Sequence, residues 1–161
     1  VLDFLHYTKD HDVNARFIEF MPIGNSLKTW QKEYVGLKNV FDTCKDNDLA
    51  YHPIVLRGNG PSDNYQIEGY EGSFGLIHPI SSKFCENCNR LRITADGYVK
   101  ACLYWNEEID IRSAIGDPVS FRKLIQKALD NKPLNHEMAM SETDRIIDKA
   151  PTWRHMSQIG G

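Results

Sequence analysis

Apolar positions along this chain follow first a helical and then a strand-like spacing, and the changes of period mark its elements. Leu2, Leu5 and His6 share one side of a helical pattern that runs out near His11. Asn14–Met21 carries apolar residues on both faces, which predicts a strand of a buried parallel sheet, ended by Pro22-Ile23-Gly24-Asn25. A glycine-containing loop at the C-terminal end of such a strand is where α/β folds place ligands. Residues 26–35 show no firm period. Leu37, Val40, Phe41 and Cys44 are spaced i, i+3, i+4, i+7 and predict a short amphipathic helix reaching Asp46, with Cys44 as a small core residue.

Leu49–Leu56 reads as a strand whose Pro53 suits a sheet edge. Arg57–Asn64 has loop composition, and Tyr65–Glu68 and Ser73–Ile77 follow as two short strands. Arg90–Thr94 and Tyr98–Tyr104 are predicted to form a hairpin turning at Ala95-Asp96-Gly97. Beyond Ile109–Ile115, Asp117 caps and Pro118 opens a helix whose buried face is Phe121, Leu124, Ile125, Ala128 and Leu129, and Pro133 stops it. From Leu134 onward apolar residues are sparse until the terminal Met156-Ser157-Gln158-Ile159-Gly160-Gly161. The pattern as a whole is α/β, with antiparallel, α+β character toward the C-terminal side.

Composition narrows the function classes. The 161 residues are 41% hydrophobic and 25% charged, as in ordinary globular domains, and no run approaches a membrane span. A net charge of −3 excludes a general nucleic-acid coat while leaving room for a local cationic pocket. No basic, then apolar, leader is visible, so a cytoplasmic, reducing setting is expected, in which paired cysteines serve metal or redox chemistry. The chain opens on Val within a helical pattern, which suggests a fragment.

Chemistry concentrates in Phe84–Tyr104. Cys85 and Cys88 form a C-x2-C pair, and Cys102 follows after thirteen residues on the return arm of the predicted hairpin. One tight turn presents two sulfurs with little added loop entropy, and the hairpin returns the third beside them. Three readings stay open on spacing: a zinc knuckle with His78 or His136 as fourth ligand, a redox disulfide between Cys85 and Cys88, and an iron–sulfur cluster on three thiolates with one iron open. The disulfide leaves Cys102 unexplained; zinc lacks a second C-x2-C. Arg90 and Arg92, on one face of a strand, repel each other unless an anion lies between them, and their forked donors suit phosphate or a purine carbonyl edge.

With these residues in view, the sequence resembles the C-terminal part of the molybdenum-cofactor biosynthesis protein A family, the radical S-adenosylmethionine GTP 3′,8-cyclases. The resemblance lies in ARFIEFMPIGN (15–25), FGLIHPIS (74–81), FCENCNRLRITADGYVKACL (84–103), KPLNH (132–136) and the MSQIGG stretch (156–161), and is loosest between Ser26 and Glu71. It implies that Cys85, Cys88 and Cys102 bind a C-terminal [4Fe-4S] cluster whose open iron meets the guanine of GTP. It further implies that Arg90, Leu91 and Arg92 contact GTP, with both arginines acting in catalysis, and that Arg16 lines the GTP pocket. Met21 matches a residue contacting S-adenosylmethionine, and Gly160-Gly161 the double glycine of a tail that reaches the active site.

The fold so implied is the last strand unit of an incomplete TIM-type radical-SAM barrel (1–25), a small iron–sulfur domain with antiparallel strands (26–133) and a tail (134–161). The C-x3-C-x2-C motif of the family's second, S-adenosylmethionine-cleaving [4Fe-4S] cluster is absent from this sequence. The expected partners are therefore GTP, S-adenosylmethionine, the missing N-terminal barrel half and, downstream in the pathway, cyclic pyranopterin monophosphate synthase, with a homodimer left open. By itself this chain is expected to be inactive. Two other readings share the cysteines: an auxiliary-cluster domain of another radical-SAM enzyme, and a zinc-stabilised module without catalysis.

Overall fold

The computed structural model describes residues 1–24, 29–58, 60–82, 84–133 and 151–159. They form two compact units, Val1–Phe20 with Glu33–Phe84, and Met21–Lys32 with Cys85–Gly161. The functional stretches expected at 1–25, 26–133 and 134–161 are a division of another kind and cut across both units.

In the first unit, α1 (Leu2–Tyr7) ends where Thr8 Oγ1 donates to Leu5 O at 2.8 Å. The strands β1 (Asn14–Ile18), β2 (Tyr51–Ile54), β3 (Asp63–Ile67) and β4 (Ser73–Ile77) form one sheet in the order β1-β4-β3-β2. β1 runs parallel to β4, and the other two pairings are antiparallel. The parallel pairing agrees with the sequence pattern, but the burial of β1 does not. The strand is shorter than Asn14–Met21, lies at the sheet edge among the described residues, and leaves Ile18 54% exposed. Pro53 occupies the opposite edge, where its missing N–H interrupts no ladder.

Between β1 and β2 run α2 (Trp30–Glu33), in the stretch without a firm period, and α3 (Lys38–Asp46). The face of α3 read from the sequence is the one that packs: Leu37, Val40 and Cys44 join Leu5, Ile67, Phe74 and Leu76 in the core. Phe74, on the central strand, stacks on Tyr65 at 5.4 Å between ring centroids and meets Phe41 and Tyr51 edge-on. Each such side chain contributes about 1.5–3 kcal/mol through burial alone.

The second unit holds the antiparallel sheet β5 (Arg92–Ile93), β6 (Tyr98–Lys100) and β7 (Ile109–Asp110), backed by α4 (Pro118–Asp130). Asp117 caps α4 by accepting from Val119 N at 3.0 Å, and Pro118 occupies the first turn, where no N–H is needed. Phe121, Leu124, Ile125 and Ala128 face Val99 and Ile111 as the periodicity predicts, whereas Leu129 sits at the rim, 44% exposed. A last turn, α5 (Met156–Ile159), buries Ile159 completely. Among the described residues no helix is long and apolar enough to cross a membrane.

Candidate functional site

Cys85–Asn87 forms one turn of 3-10 helix, and Cys88 N donates to Cys85 O at 3.1 Å. This turn sets the spacing of the C-x2-C pair. The chain then enters β5, reverses and returns along β6, with Arg92 opposite Lys100 and Ile93 opposite Val99. The reversal is the predicted Asp96-Gly97 turn: Gly97 has φ +84°, a value that a Cβ disfavours, and its N–H reaches Thr94 O at 3.0 Å. Cys102 follows two residues after β6. None of the four cysteines is in a disulfide; Cys85, Cys88 and Cys102 are half-buried and Cys44 is fully buried. Burial alone pushes the Cys44 thiol up, which suits its core position.

The hairpin arms are shorter than the sequence suggests. Only Arg92 and Ile93 of the expected strand Arg90–Thr94 pair, so strand alternation does not orient Arg90. Arg90 is exposed and Arg92 is half-buried. The Arg92 guanidinium is pushed down chiefly by burial; the sulfurs of Cys88 and Cys102 push it up, and Arg90 pushes it down again. One guanidinium thus feels two of the three thiols and the second arginine together.

Leu91, between the arginines, packs on the Val99–Ile111–Ala128 core and fixes the backbone there. Lys132, just past α4, donates from Nζ to Arg90 O at 2.7 Å and ties down the same loop. This lysine opens the 132–136 stretch, of which only Lys132 and Pro133 lie within the described residues. Behind Cys102 is a cavity of about 30 Å³ lined by Val99, Ala101, Trp105, Ala128 and Pro133 among others. It has room for about one water-sized group and none for a nucleotide.

The donor set itself is consistent with a thiolate-held cluster: three cysteines outside any disulfide, two of them on one turn, with half-buried Arg92 on the strand between that pair and Cys102. Among the described residues, however, no three His, Cys, Asp or Glu side chains are gathered closely enough to hold a metal ion. The expected convergence of the three thiols is therefore a shared neighbourhood rather than a closed ligand geometry. His78 is engaged within the first unit, with Nδ1 3.2 Å from Ser81 Oγ and Nε2 3.8 Å from Asp63 Oδ2. His136 lies outside the described residues.

Arg16 is exposed on β1, and its Nε donates to Asn14 Oδ1 at 2.8 Å; Asn14 in turn donates to Ser73 Oγ at 2.9 Å. Met21 is half-buried in a tight turn closed by Ile23 N to Met21 O at 2.9 Å. Gly160 and Gly161 lie outside the described residues.

Comparison with known proteins gives this arrangement its setting. The family described as Molybdenum Cofactor Synthesis C matches residues 13–138. The chain belongs to that family. Over all 161 residues it is 99% identical to a GTP 3′,8-cyclase of Lactiplantibacillus plantarum and 78% identical to one of Limosilactobacillus fermentum, covering 48% of each relative. A Caenorhabditis elegans protein, molybdenum cofactor biosynthesis protein moc-5, is 41% identical over 144 residues, which are 84% of this chain and 23% of that protein. The chain thus spans about half the length of the curated bacterial relatives it matches. The family matches the resemblance carried by the cysteine–arginine hairpin.

Sequence reasoning missed a group of buried charges in the second unit of this Molybdenum Cofactor Synthesis C member. Lys100 is fully buried, and Nζ donates to Trp105 O at 2.8 Å, Glu108 Oε1 at 3.2 Å and Thr152 Oγ1 at 3.4 Å. Arg154, 5% exposed, forks onto Glu108 at 2.6 and 2.7 Å and reaches Asp96 at 2.9 Å. Burial pushes the Glu108 carboxyl up, but the bonds from Arg154 and Lys100 outweigh it and hold it below the ordinary value. Strand alternation places Lys100 on the face opposite Val99, so the spacing gave no sign that its ammonium would be buried.

Proposed function

We propose that this chain is the C-terminal, substrate-side half of a GTP 3′,8-cyclase, the radical enzyme that rearranges GTP to (8S)-3′,8-cyclo-7,8-dihydroguanosine 5′-triphosphate in molybdenum cofactor biosynthesis. The observation that carries the reading is the C-x2-C turn running into the β5–β6 hairpin, with half-buried Arg92 on β5 and half-buried Cys102 two residues past β6. Cys85, Cys88 and Cys102 would hold a [4Fe-4S] cluster, which supplies an open iron where the guanine ring docks.

This chain's own residues bind and orient. Arg90 and Arg92 take the anionic or carbonyl edge of the nucleotide, and burial of Arg92 strengthens that attraction. Leu91 and Lys132 hold the backbone between them, so less of this loop has to be ordered when substrate arrives. Arg16 serves the same pocket, Met21 the S-adenosylmethionine side, and Gly160-Gly161 the approach to the reacting centre.

In this reading residues 1–25 close the radical-SAM barrel, 26–133 bind cluster and GTP, and 134–161 form the tail. Six large apolar side chains exposed in the first twenty residues, Val1, Phe4, Tyr7, Val13, Ile18 and Phe20, support docking of an N-terminal barrel half there. That half would carry S-adenosylmethionine and the second [4Fe-4S] cluster. The protein would work in the cytoplasm, passing its product toward cyclic pyranopterin monophosphate synthase.

The test is anaerobic reconstitution of the full-length protein and of residues 1–161 with iron and sulfide, followed by assay with GTP, S-adenosylmethionine and a low-potential reductant such as dithionite. Only the full-length protein should convert GTP to the cyclised nucleotide and S-adenosylmethionine to 5′-deoxyadenosine. Nucleoside release by the short chain, or zinc in place of iron–sulfur in both anaerobic preparations, would overturn the proposal.

A further inference from the structure

The lysine–glutamate–arginine group lies among three segments that the proposed function assigns to the site. Lys100 sits on β6, two residues before Cys102, and its ammonium has three acceptors in place of water. Glu108 lies beyond the loop that follows Cys102 and joins Lys100 to Arg154. Arg154 belongs to Pro151–Ile159, which is also held by Thr152 N donating to Tyr104 O at 2.6 Å and by the pairing of Trp105 with Pro151. The third segment is the Met21 turn: Gly24 has φ +58°, and a Cβ added there would come within 3.0 Å of Arg154 O.

Burying two cations against a half-buried carboxylate is a poor way to gain stability, since the desolvation cost roughly offsets the attraction. Such a group is better suited to fixing register, because any slip strands an uncompensated charge. Here the register is that of Pro151–Ile159 against the loop after β6. Ile159, fully buried, is a second anchor one residue before Gly160.

We infer that Arg154 is a positioning residue: with Glu108 and Lys100 it locks Pro151–Ile159 against the strand leading to Cys102 and beside the Met21 turn, and so fixes the geometry of the Cys102 flank of the proposed site. The inference rests on the proposed function for its catalytic consequence, but not for the lock itself.

The experiment uses the full-length protein with Arg154→Met, which keeps an apolar stem and removes the fork, and Gly24→Ala, which strains the Gly24 backbone and crowds Arg154 O without touching the charged group. Amide exchange at Thr152 should accelerate in Arg154→Met by at least about tenfold. Turnover of GTP should fall about a hundredfold, as expected when reacting groups are misplaced by an ångström. KM for GTP, iron content and 5′-deoxyadenosine formation should stay near wild type, so cleavage of S-adenosylmethionine becomes uncoupled from product. Arg154→Lys should recover part of the turnover.

Global destabilisation would instead lower iron, cleavage and product together, and that result in both Arg154→Met and Gly24→Ala overturns the positioning role. Wild-type exchange at Thr152, or faster exchange with unchanged coupling, also overturns it. If Arg154→Met does not fold, Gly24→Ala decides on the same measurements. Absence of cyclised product from the wild-type protein would instead refute the proposed function, leaving the exchange result to judge the lock.

Discussion

Glu19, just after β1, provides a quantitative test of how the first unit holds its shape. It is 1% exposed, and its carboxylate accepts from Ile80 N at 2.7 Å, Ser81 N at 2.9 Å and Tyr34 Oη at 2.8 Å. It therefore pins the chain four residues before Cys85. Replacement by Ala leaves two backbone N–H groups and a phenol without this acceptor. At about 1–3 kcal/mol for each buried group left unsatisfied, with some relaxation, the loss should be about 3–5 kcal/mol.

Glu19→Gln retains one carbonyl oxygen but brings an NH2 toward donors, and should cost about 1–2 kcal/mol. The pH dependence gives the sharper check. Burial raises the Glu19 carboxyl, but bonds from the Ser81 side chain and N–H, Ile80 N–H and Tyr34 bring it below its ordinary 4.5, while burial and Glu19 push Tyr34 up to about 12. A lowered native value means that this stabilisation is complete above the unfolded value and is lost as pH falls through the native one. In urea titrations the gap between wild type and Glu19→Gln should be full at pH 7 and shrink steadily below pH 4.5. A gap under about 0.5 kcal/mol at pH 7, or one that widens on acidification, would refute the reasoning.

Other outcomes follow from the same structure. In the full-length enzyme Arg92→Ala should raise KM for GTP about ten- to hundredfold with iron content near wild type, and Arg90→Ala, being exposed, should raise it less; steady-state kinetics with iron analysis would show equal effects if the burial argument is wrong. Cys102→Ser should lower bound iron after anaerobic reconstitution, whereas Cys44→Ala should leave it unchanged, as iron and sulfide assays will read directly. Phe74→Ala should cost about 3–5 kcal/mol in urea unfolding, since it empties the centre of the first unit's aromatic cluster. Asp117→Ala should cost about 1 kcal/mol through the lost α4 cap, measurable by thermal melting.

The elements that the sequence pattern placed well are those whose signal is local. Ser73–Ile77 is a strand with the expected bounds because four of its five residues are buried. The α4 helix starts where Asp117 and Pro118 say it must, and the Asp96-Gly97 turn needs only its own two residues. What stayed illegible depends on distant partners. The pairing of Asn14 with Ser73 joins positions 59 residues apart, and nothing near β1 announces that it will be an edge. Arg90 and Arg92 were legible as a pair but not as one exposed and one half-buried, because Leu91 rather than strand alternation sets the backbone. Lys100, Glu108 and Arg154 look in sequence like any solvated charges; what holds them is one another together with Trp105 O, Thr152 and Asp96, partners that no local pattern reports.

The way the chain passes between its two compact units has a consequence for genetic dissection. It leaves the first unit at Phe20, returns at Glu33 and leaves again at Phe84, so Met21–Lys32 belongs with Cys85–Gly161 though 52 residues separate them. No single cut releases the cysteine-bearing unit as a complete piece. A gene fragment starting at Cys85 would lack Ile23, which is 5% exposed in the intact chain, and the backbone beside Arg154. A shortened version that keeps the cysteine-bearing unit whole must carry both stretches, rejoined by a designed linker.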